Sequence, residues 1–492
     1  MAKDARFLGL DISTTAVTAG VRGTHGEEDL AAVPIRGTCT WHGQPAVESA
    51  TLPPMLAEAL QQLEQKGWSF AQPGDLCASV RQHDMVLLGC SGEVLIPFIT
   101  WQCHAATAEV EQLRKQGAEQ IVGRIEPRFI LPKLKWALNL EPALAGKIRS
   151  VMTTGDYMAL QLTGVGRLST SDALSNGLLN QKTKELAVSA IQMAGQDPAW
   201  FPAPIPSGAP VGTVAAGQAA GAWRAVAEKL QGWTVRAGLG DNHAGGVGSG
   251  LADRETLVLS LGSSGTVIRR CRPDARLRGN AARFEYFEDS LLLEMLADCA
   301  VWYDRFVAAY NTQGLSYGEL DKLNQLGSRA GIADLRFVGQ AQTDKGWKEV
   351  YPADWEGLPL GAKVLSTQAS IAVHMLRLTK DLLGEVLDTN VPPIQRFVIT
   401  GGLSRSPLIQ SVLQTGLRRL IPDCRVLVSS RQGPLANKGA VLGALFTAMV
   451  GTPGYPDLAS VIQQLCTLHE VQAPAVTPEF QQGLGAFLGA NV

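Results

Sequence analysis

This sequence of 492 residues has almost no excess of either charge, no closely spaced cysteine pair and no long apolar run. The formal net charge is −2 and no long basic run occurs, which argues against a nucleic-acid partner. The eight cysteines include no CxxC pair, a pattern that fits reduced thiols better than a disulfide framework or a zinc site. No apolar stretch approaches the roughly 20 residues that a membrane span needs, so no membrane association is expected.

The remaining composition is that of a globular enzyme, with 46% hydrophobic and 18% charged residues. Residues 1–11, MAKDARFLGLD, enter a strand pattern at once, without a charged and then apolar leader segment. We therefore expect a soluble, cytoplasmic protein. A chain of 492 residues exceeds what one core usually serves, so two large domains are expected.

A glycine- and hydroxyl-rich segment occurs twice in the chain. Residues 7–17 read FLGLDISTTAV and residues 257–267 read LVLSLGSSGTV, an offset of 250. Each copy has an apolar strand pattern, a short turn of small or hydroxyl residues, and a second β-branched run. Such a turn can surround a phosphate with N–H groups and hydroxyls, although any β-hairpin can have these residues in its turn. The two matching copies favour a duplicated domain that binds a polyphosphate.

Strand and helix patterns alternate along both halves, which is typical of α/β architecture. Helices are predicted at 51–67, 105–117, 133–148, 366–388 and 407–419, and a strand at 397–400. A glycine-dense stretch at 245–250 predicts the domain junction, because glycine tolerates a change of chain direction. We expect an N-terminal domain of residues 1–247 and a C-terminal domain of residues 248–492.

Two aspartates follow strand patterns at positions suited to catalysis. Asp11 precedes the first turn, where a carboxylate could hold Mg²⁺ against a nucleotide phosphate; the alternative is that it only caps the turn. Asp241 lies in GLGDNHAGGVGSG, 238–250, whose small residues permit a ligand to approach closely. A general base must come within about 3 Å of the hydroxyl that it deprotonates, and Asp241 suits that role. The alternative is an N-cap of a tightly packed helix.

Two further segments are weaker candidates. FVITGGLSRSPL, 397–408, joins a strand, a Gly-Gly turn and a helix-opening proline, and such a helix N-terminus can accept an anionic or planar ligand. Many strand–helix connections look alike, so this segment alone indicates little. His83, in SVRQHDMVLL, has polar neighbours of the kind that bind sugar hydroxyls, although a lone histidine is more often a buried structural residue. The small residues of 436–444 favour tight helix packing.

The two turn segments 7–17 and 257–267, the segment 238–250 and the segment 397–408 occur in the same order as the motifs of a known family. Together they resemble the FGGY family of carbohydrate kinases along nearly the whole chain. The resemblance implies an α/β, two-domain, duplicated fold of the sugar kinase–actin–Hsp70 ATPase (ribonuclease H-like) type, with an interdomain cleft. It implies ATP and Mg²⁺ as cofactors, and transfer of a phosphoryl group to a terminal hydroxyl of a small sugar. Positioning and charge neutralisation would supply most of the catalysis.

The resemblance also assigns roles to individual residues. Asp241 is implied as the catalytic base, and Asp11 and Asp241 as the magnesium carboxylates. Sugar contacts are implied for His83, Gln82, Asn242 and Asp241. Nucleotide contacts are implied for the two turns and the segment after 397–400, namely Ser13, Thr14, Thr15, Gly262, Ser263, Ser264, Gly265, Thr266, Gly401, Gly402, Arg405 and Ser406.

Within the family, xylulokinases are the most similar group, with a segment like GGGDNAAGAVG where this chain has GLGDNHAGGVG. TTGDYMALQLTG, 153–164, resembles the family's DYLxxxLTG helix, and STSDALSNGLL, 169–179, resembles the loop after it. Two departures bear on the sugar. Gln82 stands where the family's QMHG has Met, and the usual Trp-Asn-Asp-x-Arg reads WQCHA at 101–105, without that Asp and Arg.

We therefore expect a ketopentose such as xylulose as substrate, with ribulose, glycerol or erythritol as alternatives. A non-kinase nucleotide-binding sensor of the same fold is the alternative from another functional class. The sequence does not decide the oligomeric state, and a homodimer is compatible with it.

Overall fold

A computed structural model describes residues 3–278, 282–287, 289–296, 298–323, 335–343, 346–387, 392–429, 431–436, 438–472 and 478–492. The chain forms two compact units. The first comprises Met1–Gly248, Arg283–Leu291 and Gln432–Cys466, and the second comprises Ser249–Ala282, Leu292–Arg431 and Thr467–Val492. The first unit thus includes two segments from the second half of the chain, and the domain division at 247/248 stays a prediction.

The first unit is built around an eight-stranded mixed sheet. The strands from Lys3 to Gly240, which include those of smaller separate sheets, are in chain order Lys3–Ile12 (β1), Ala16–Gly23 (β2), Glu28–Pro34 (β3), Thr38–Trp41 (β4), Gln44–Val47 (β5), Trp68–Ser69 (β6), Asp75–Val80 (β7), Val86–Leu88 (β8), Phe98–Ile99 (β9), Ser150–Met152 (β10), Leu168–Ser169 (β11), Pro204–Ile205 (β12), Pro210–Thr213 (β13), Thr234–Arg236 (β14) and Leu239–Gly240 (β15). The main path of the sheet is β13-β14-β7-β1-β2-β3, with β15 paired to β7 and β6 paired to β1.

Helices surround this sheet, and the predicted helix at 51–67 is confirmed as Leu52–Gln65. The others are Thr107–Lys115, Glu119–Val122, Ile130–Leu140, Thr154–Thr163, Thr170–Ser175, Val188–Met193, Trp223–Lys229, Asp241–Gly248, Gly439–Met449 and Leu458–Leu465, with 3-10 helices at Ser49–Thr51, Pro142–Leu144 and Pro198–Trp200. The helix predicted at 133–148 ends at Leu140, because Pro142 cannot continue it.

The second unit contains the strands β17, β16, β22, β23 and β24 of a seven-stranded sheet whose full order is β18-β19-β17-β16-β22-β23-β24. The strands after β15 are Thr256–Leu261 (β16), Gly265–Cys271 (β17), Ala282–Tyr286 (β18), Asp289–Leu296 (β19), Gly339–Thr343 (β20), Gly346–Val350 (β21), Arg396–Thr400 (β22), Arg425–Ser429 (β23) and Leu468–Glu470 (β24). Its helices are Ala300–Tyr310, Tyr317–Leu323, Leu360–Glu385, Pro407–Leu420 and Pro478–Asn491, with 3-10 helices at Trp355–Gly357 and Gly402–Arg405.

The two sheets repeat one strand order. The path β2-β1-β7-β14-β13 in the first unit corresponds to β17-β16-β22-β23-β24 in the second. The directions also correspond: each hairpin is antiparallel, the next two strands run parallel to its first strand, and the last strand is antiparallel. The duplicated α/β architecture is confirmed, and both predicted strand–turn–strand segments form.

Small residues allow the helix Gly439–Met449 to pack closely in the first unit. A Cβ at Gly9 of β1 would lie 2.5 Å from the backbone of Leu445 and Val441, and a Cβ at Gly443 would overlap the backbone of Ala244. The tight packing predicted for 436–444 is therefore confirmed within that helix. In the part of the chain that the structure describes, no helix has the length and apolar character that crossing a bilayer requires.

Candidate functional site

The candidate acceptor site of the first unit lies where parallel strands of the sheet end. Strand β7 pairs in parallel with both β1 and β15, with Asp11 opposite Ser79 and Gly240 opposite Val80. The carboxyl ends of these strands therefore lie at one edge, where ligands of α/β sheets usually bind. This edge brings together Asp11, the loop 81–84 and Asp241, which are far apart in sequence.

Asp11 is the penultimate residue of β1 and carries a half-buried carboxylate. Ser79 Oγ donates a hydrogen bond to Asp11 Oδ1 over 3.1 Å. Burial and, second to it, the negative charge of Asp241 together raise the pKa of Asp11 to about 7, against the lowering effects of Ser79, Lys438 and Arg81. Like charge on two carboxylates at this edge makes it a favourable place for a cation.

Asp241 is the first residue of the helix Asp241–Gly248, and its side chain reaches solvent. Its Oδ1 accepts a hydrogen bond from Asn242 N over 2.8 Å. Partial desolvation by the surrounding protein raises the pKa of Asp241 to about 6, against the lowering effects of the Asn242 N–H and the positive charge of Arg128. A solvent-accessible carboxylate with a pKa near neutrality is suited to accept a proton from a hydroxyl.

His83 lies in the loop after β7 and is 7% exposed. Its Nδ1 lies 3.2 Å from Asn176 Oδ1, which also accepts from Ile130 N, and the ring stacks on Phe129 at 4.9 Å. An amide oxygen can only accept, so Nδ1 carries the hydrogen and Nε2 is the unprotonated nitrogen. Burial lowers the pKa of His83 well below its usual value, which keeps the ring neutral. His83 therefore offers an acceptor at Nε2.

A buried ion pair supports this loop. Arg81 Nε and Asp84 Oδ2 are 2.6 Å apart, and Arg81 Nη1 donates to Ser13 O over 3.0 Å. Asp84 Oδ1 also accepts from Trp101 N over 3.2 Å. The loop that carries His83 is thereby fastened to the first turn, so the geometry of one depends on the other.

In the first turn, the three hydroxyl residues differ in their surroundings. Ser13 Oγ donates to Ala16 O over 2.9 Å and accepts from Ala16 N over 3.1 Å, so this hydroxyl is used within the turn. Thr14 and Thr15 are exposed. Thr14 Oγ1 accepts from Trp101 Nε1 over 3.1 Å. The exposed threonines and the turn backbone are thus better placed than the Ser13 side chain to meet a phosphate.

The corresponding turn of the second unit is held through its carbonyl groups. Gly262 O and Ser263 O each accept a hydrogen bond of 2.9 Å, from Ala300 N and Cys299 N respectively. The hydroxyls of Ser263 and Ser264 make no hydrogen bond within the described ranges, and Ser263 is exposed. Gly265 and Thr266, at the start of β17, are buried.

In the segment after β22, some residues are exposed and others are buried. Gly401 has φ +95°, and a Cβ there would overlap the backbone of Leu261, so this position requires glycine. Gly402 and Arg405 are exposed. The Ser406 side chain is buried and donates to Gln368 Oε1 over 2.8 Å, which commits that hydroxyl to the fold. Backbone and Arg405 are therefore the groups that a ligand could reach.

Residues that could hold a metal are few at this edge. No cluster of three or more His, Cys, Asp or Glu with metal-site geometry occurs among the described residues. The Asp11 and Asp241 carboxylates fit Mg²⁺, because this hard cation is usually bound by one or two carboxylates together with substrate phosphates. The negative charge of Asp241 contributes to the raised pKa of Asp11, and a bound cation would relieve this repulsion.

Residues 7–248 match the model of the FGGY family of carbohydrate kinases, N-terminal domain. The chain belongs to the FGGY family of carbohydrate kinases. It is therefore an ATP-dependent phosphotransferase, as the resemblance in the sequence predicted. A xylulose kinase of Streptomyces coelicolor is 26% identical over 438 residues, which cover 85% of this chain and 84% of that protein.

Solved structures of the family have the same fold over the full length. The ligand-bound xylulose kinase of Lactobacillus acidophilus superposes with a TM-score of 0.81 at 15% identity, covering 99% of this chain and 97% of that one. A gluconate kinase of the same organism superposes with a TM-score of 0.80 at 15% identity, covering 100% and 97%. Proteins named for different acceptors thus share this fold, so fold likeness does not select a sugar.

The polar neighbours of His83, which include Arg81 and Asp84, were interpreted from the sequence as possible sugar contacts, and the contacts that support the site were not predicted. Asn176 orients His83, the pair Arg81–Asp84 fastens the loop to the first turn, and Arg128 places positive charge near Asp241. Asn176 lies in STSDALSNGLL, a segment that resembles a family motif, but the sequence of that segment does not show that Asn176 contacts His83. The contact between Asn176 and His83 spans 93 residues and depends on tertiary structure.

Proposed function

We propose that this carbohydrate kinase transfers the γ-phosphoryl group of ATP to a terminal hydroxyl of a small sugar, with a ketopentose such as xylulose as first choice. The observation that carries the proposal is the convergence of Asp241, His83 and Asp11 at one edge of the first sheet. Family membership supports the reaction class, and the relative named a xylulose kinase along most of both chains supports the sugar.

Asp241 acts in this proposal as the general base. Its carboxylate accepts the proton of the acceptor hydroxyl as the oxygen attacks the γ-phosphorus, and the bond from that phosphorus to the bridging oxygen of ADP breaks. The N–H of Asn242 holds one carboxylate oxygen, which leaves the other for the hydroxyl. Solvent access and a pKa near 6 are consistent with this role.

His83, Gln82 and Asn242 orient the acceptor. His83 Nε2 accepts a hydrogen bond from a sugar hydroxyl, since Asn176 occupies Nδ1. The His83 ring stacks on Phe129 and is hydrogen-bonded at Nδ1, so its orientation is fixed. The direction of the hydrogen bond from the sugar hydroxyl to Nε2 is therefore fixed as well. Correct orientation of the reacting hydroxyl removes part of the entropic barrier to transfer.

Nucleotide contacts belong to the turns and to the segment after β22. In the first unit, Thr14, Thr15 and the backbone of the turn meet phosphate oxygens. In the second unit, the turn Gly262–Ser264 and the exposed residues Gly402 and Arg405 contact the nucleotide. Asp11 and Asp241 would hold Mg²⁺, which supplies neutralisation of phosphate charge when bound.

Ribulose, glycerol and erythritol remain alternative acceptors, because the sequence lacks the Asp and Arg that the family has after the first Trp of WQCHA. A non-kinase sensor is disfavoured by family membership and by the presence of both carboxylates.

The test is ADP release by the purified protein with Mg·ATP and each of D-xylulose, D-ribulose, L-xylulose, glycerol and erythritol. We expect one acceptor, a ketopentose, to stimulate turnover well above the rate with ATP alone, with a phosphate monoester as product. The Asp241→Asn variant is the matched control for contaminating kinase activity. Failure of every acceptor to stimulate the folded protein would contradict the proposal.

A further inference from the structure

His243 and Gln82 contact each other beside the candidate base. His243 is the third residue of the helix that Asp241 begins, and its side chain is fully buried. Gln82 precedes His83 and is 4% exposed. Gln82 Nε2 lies 3.2 Å from His243 Nδ1, a contact between residues 161 positions apart. Both residues differ from the family segments quoted above, which have Met and Ala at these positions.

The hydrogen-bond directions in this pair follow from a third residue. Ser175 Oγ donates its one hydrogen to Ser171 O over 2.6 Å, so it must accept from Gln82 Nε2, which lies 2.6 Å away. The second hydrogen of the Gln82 amide nitrogen then points to His243 Nδ1, which must be unprotonated to accept it. A ring that accepts at Nδ1 is neutral and carries its one hydrogen on Nε2, and full burial of the side chain favours this uncharged form.

This arrangement costs stability at His243. Its Nε2 is buried and has no hydrogen-bond partner within the described ranges, and the ring lies 5.4 Å from Phe284 and 6.5 Å from Tyr286. An unpaired N–H in such surroundings is unfavourable, and an apolar side chain would avoid it. The hydrogen bond that the His243 ring makes here is the one that Nδ1 accepts from Gln82 Nε2.

The consequence of this contact is a fixed orientation of the Gln82 amide. Both hydrogens of Nε2 are bound, while Oε1 has no partner among the described residues and is not sealed from solvent. A Cβ at Gly240 would lie 2.6 Å from Gln82 Cδ, so the amide packs against the residue that precedes Asp241. Oε1 is thus an open hydrogen-bond acceptor close to both Asp241 and His83.

We propose that His243 is a positioning residue that holds the Gln82 amide, and that Gln82 Oε1 selects acceptors with a hydroxyl adjacent to the one that is phosphorylated. The inference rests on the proposed function, since it assumes that the acceptor binds beside Asp241. The ligand chemistry is a terminal vicinal diol: one hydroxyl faces Asp241, and its neighbour donates to Gln82 Oε1. A thioether or methyl group at these two positions would not make this distinction.

The test is a double-mutant cycle with Gln82→Met, His243→Ala and the double variant, using the best acceptor of the panel and its analogue without the adjacent hydroxyl. Gln82→Met should lower kcat/KM for the full acceptor about two- to tenfold, the effect of one hydrogen bond, and leave the KM for ATP unchanged. The analogue should be much less affected. His243→Ala should act in the same direction and add no further loss in the Gln82→Met background.

His243→Asn is the matched control, because its Oδ1 can accept from Gln82 much as Nδ1 does, and it should retain acceptor preference. Selective ¹⁵N NMR should show the Nε2–H tautomer of His243 in the wild type. Additive losses in the double variant, or equal losses for the full acceptor and the analogue, would overturn the inference. Absence of acceptor-stimulated turnover in the wild type would instead overturn the proposed function, and a His243 found as the Nδ1–H tautomer would overturn the inference independently of activity.

Discussion

The two copies of the duplicated sheet share their strand order but differ at a matching position near the end of the first strand. In the first copy this residue is Asp11, which receives a hydrogen bond from Ser79 of the parallel neighbour. In the second copy the residue at the offset of 250 is Leu261, which is fully buried. The same architecture thus places a carboxylate at one edge and an apolar side chain at the other.

The loops that follow the neighbouring parallel strands differ in the same way. After β7 the first copy has a buried ion pair, Arg81–Asp84, and the neutral ring of His83. After β22 the second copy has glycines, of which Gly401 packs against the hairpin turn. Duplication therefore preserved the backbone framework while the side chains at its edge diverged. We interpret the first copy as the place of acceptor chemistry and the second as a place of nucleotide recognition.

Loss of the base should give the largest effect. Asp241→Asn preserves volume but cannot accept a proton, and general-base catalysis contributes about 10²–10⁴-fold. Acceptor-stimulated turnover should fall by that order while both ligands still bind. Steady-state ADP release and equilibrium binding on the same folded variant check this. Near-normal turnover would remove Asp241 from catalysis, and loss of both ligands would make it an organiser of the site.

Asp11→Ala should lower metal-dependent turnover by at least about tenfold, since even groups that only support metal ligands contribute 10- to 100-fold. Acceptor affinity should change little, because the proposed acceptor contacts belong to other residues. Titration of turnover with Mg²⁺ and calorimetry with acceptor alone separate the two effects. A large loss of acceptor affinity would place Asp11 in the sugar site. Leu261→Ala is the matched change in the other copy, with no expected shift in the Mg²⁺ requirement.

The pH dependence of kcat/KM should show an acid limb. Because the pKa of Asp241 is raised to about 6, the carboxylate becomes protonated as the pH falls through that value, and the base is lost there. We expect activity to fall roughly tenfold per pH unit below about 6, instead of near the ordinary aspartate value. The residual activity of Asp241→Asn should lack this limb, and a limb that persists in the variant would assign it to another group.

Gly401→Ala should change the second copy with little effect on acceptor use. A residue with a side chain is strained at φ +95°, at about 1–3 kcal/mol, and its Cβ would displace the backbone at Leu261. We expect a lower melting temperature and a several-fold higher KM for ATP, with the acceptor KM unchanged. Gly433→Ala, also at positive φ but with open space around its Cβ, is the control for backbone strain alone.

His83→Ala should give the smallest of these changes. Loss of one hydrogen bond to a sugar hydroxyl corresponds to roughly 0.5–1.5 kcal/mol, or a two- to tenfold higher acceptor KM. The KM for ATP should not move, and measuring both constants on one preparation checks this. Equal effects on both substrates would indicate a folding role, as would a lower melting temperature that accounts for the loss.

Local sequence signals predicted the parts of this fold that depend on local chemistry. Both hairpins, the helix Leu52–Gln65 and the helix that Pro407 opens could be read from turn residues, periodicity and proline. The strand order could not, since the pairing of β1 with β7 and of β16 with β22 joins distant segments. Asp11, Asp241 and His83 were singled out from their local patterns and received their roles from the resemblance; those roles stay predictions, and the residues that support them were not predicted.

The supporting contacts of Asn176, Ser175 and Arg81 could not be predicted from the sequence, for a physical reason. Each of these residues acts through a contact with a residue that is distant in the chain or through a hydrogen-bond direction, and neither is encoded in a local pattern. Ser406 shows the converse. Its position after the Gly-Gly turn predicts a ligand contact, but its side chain is directed into the fold and bonded to Gln368.

The most direct test of the division between the two copies is calorimetric titration of a matched pair of variants, His83→Ala and Gly401→Ala, each with ADP and with the best acceptor of the panel. We predict a double dissociation: His83→Ala weakens acceptor binding and leaves ADP binding unchanged, while Gly401→Ala weakens ADP binding and leaves acceptor binding unchanged. If either variant weakens both ligands equally while remaining folded, the assignment of acceptor and nucleotide recognition to separate copies is contradicted.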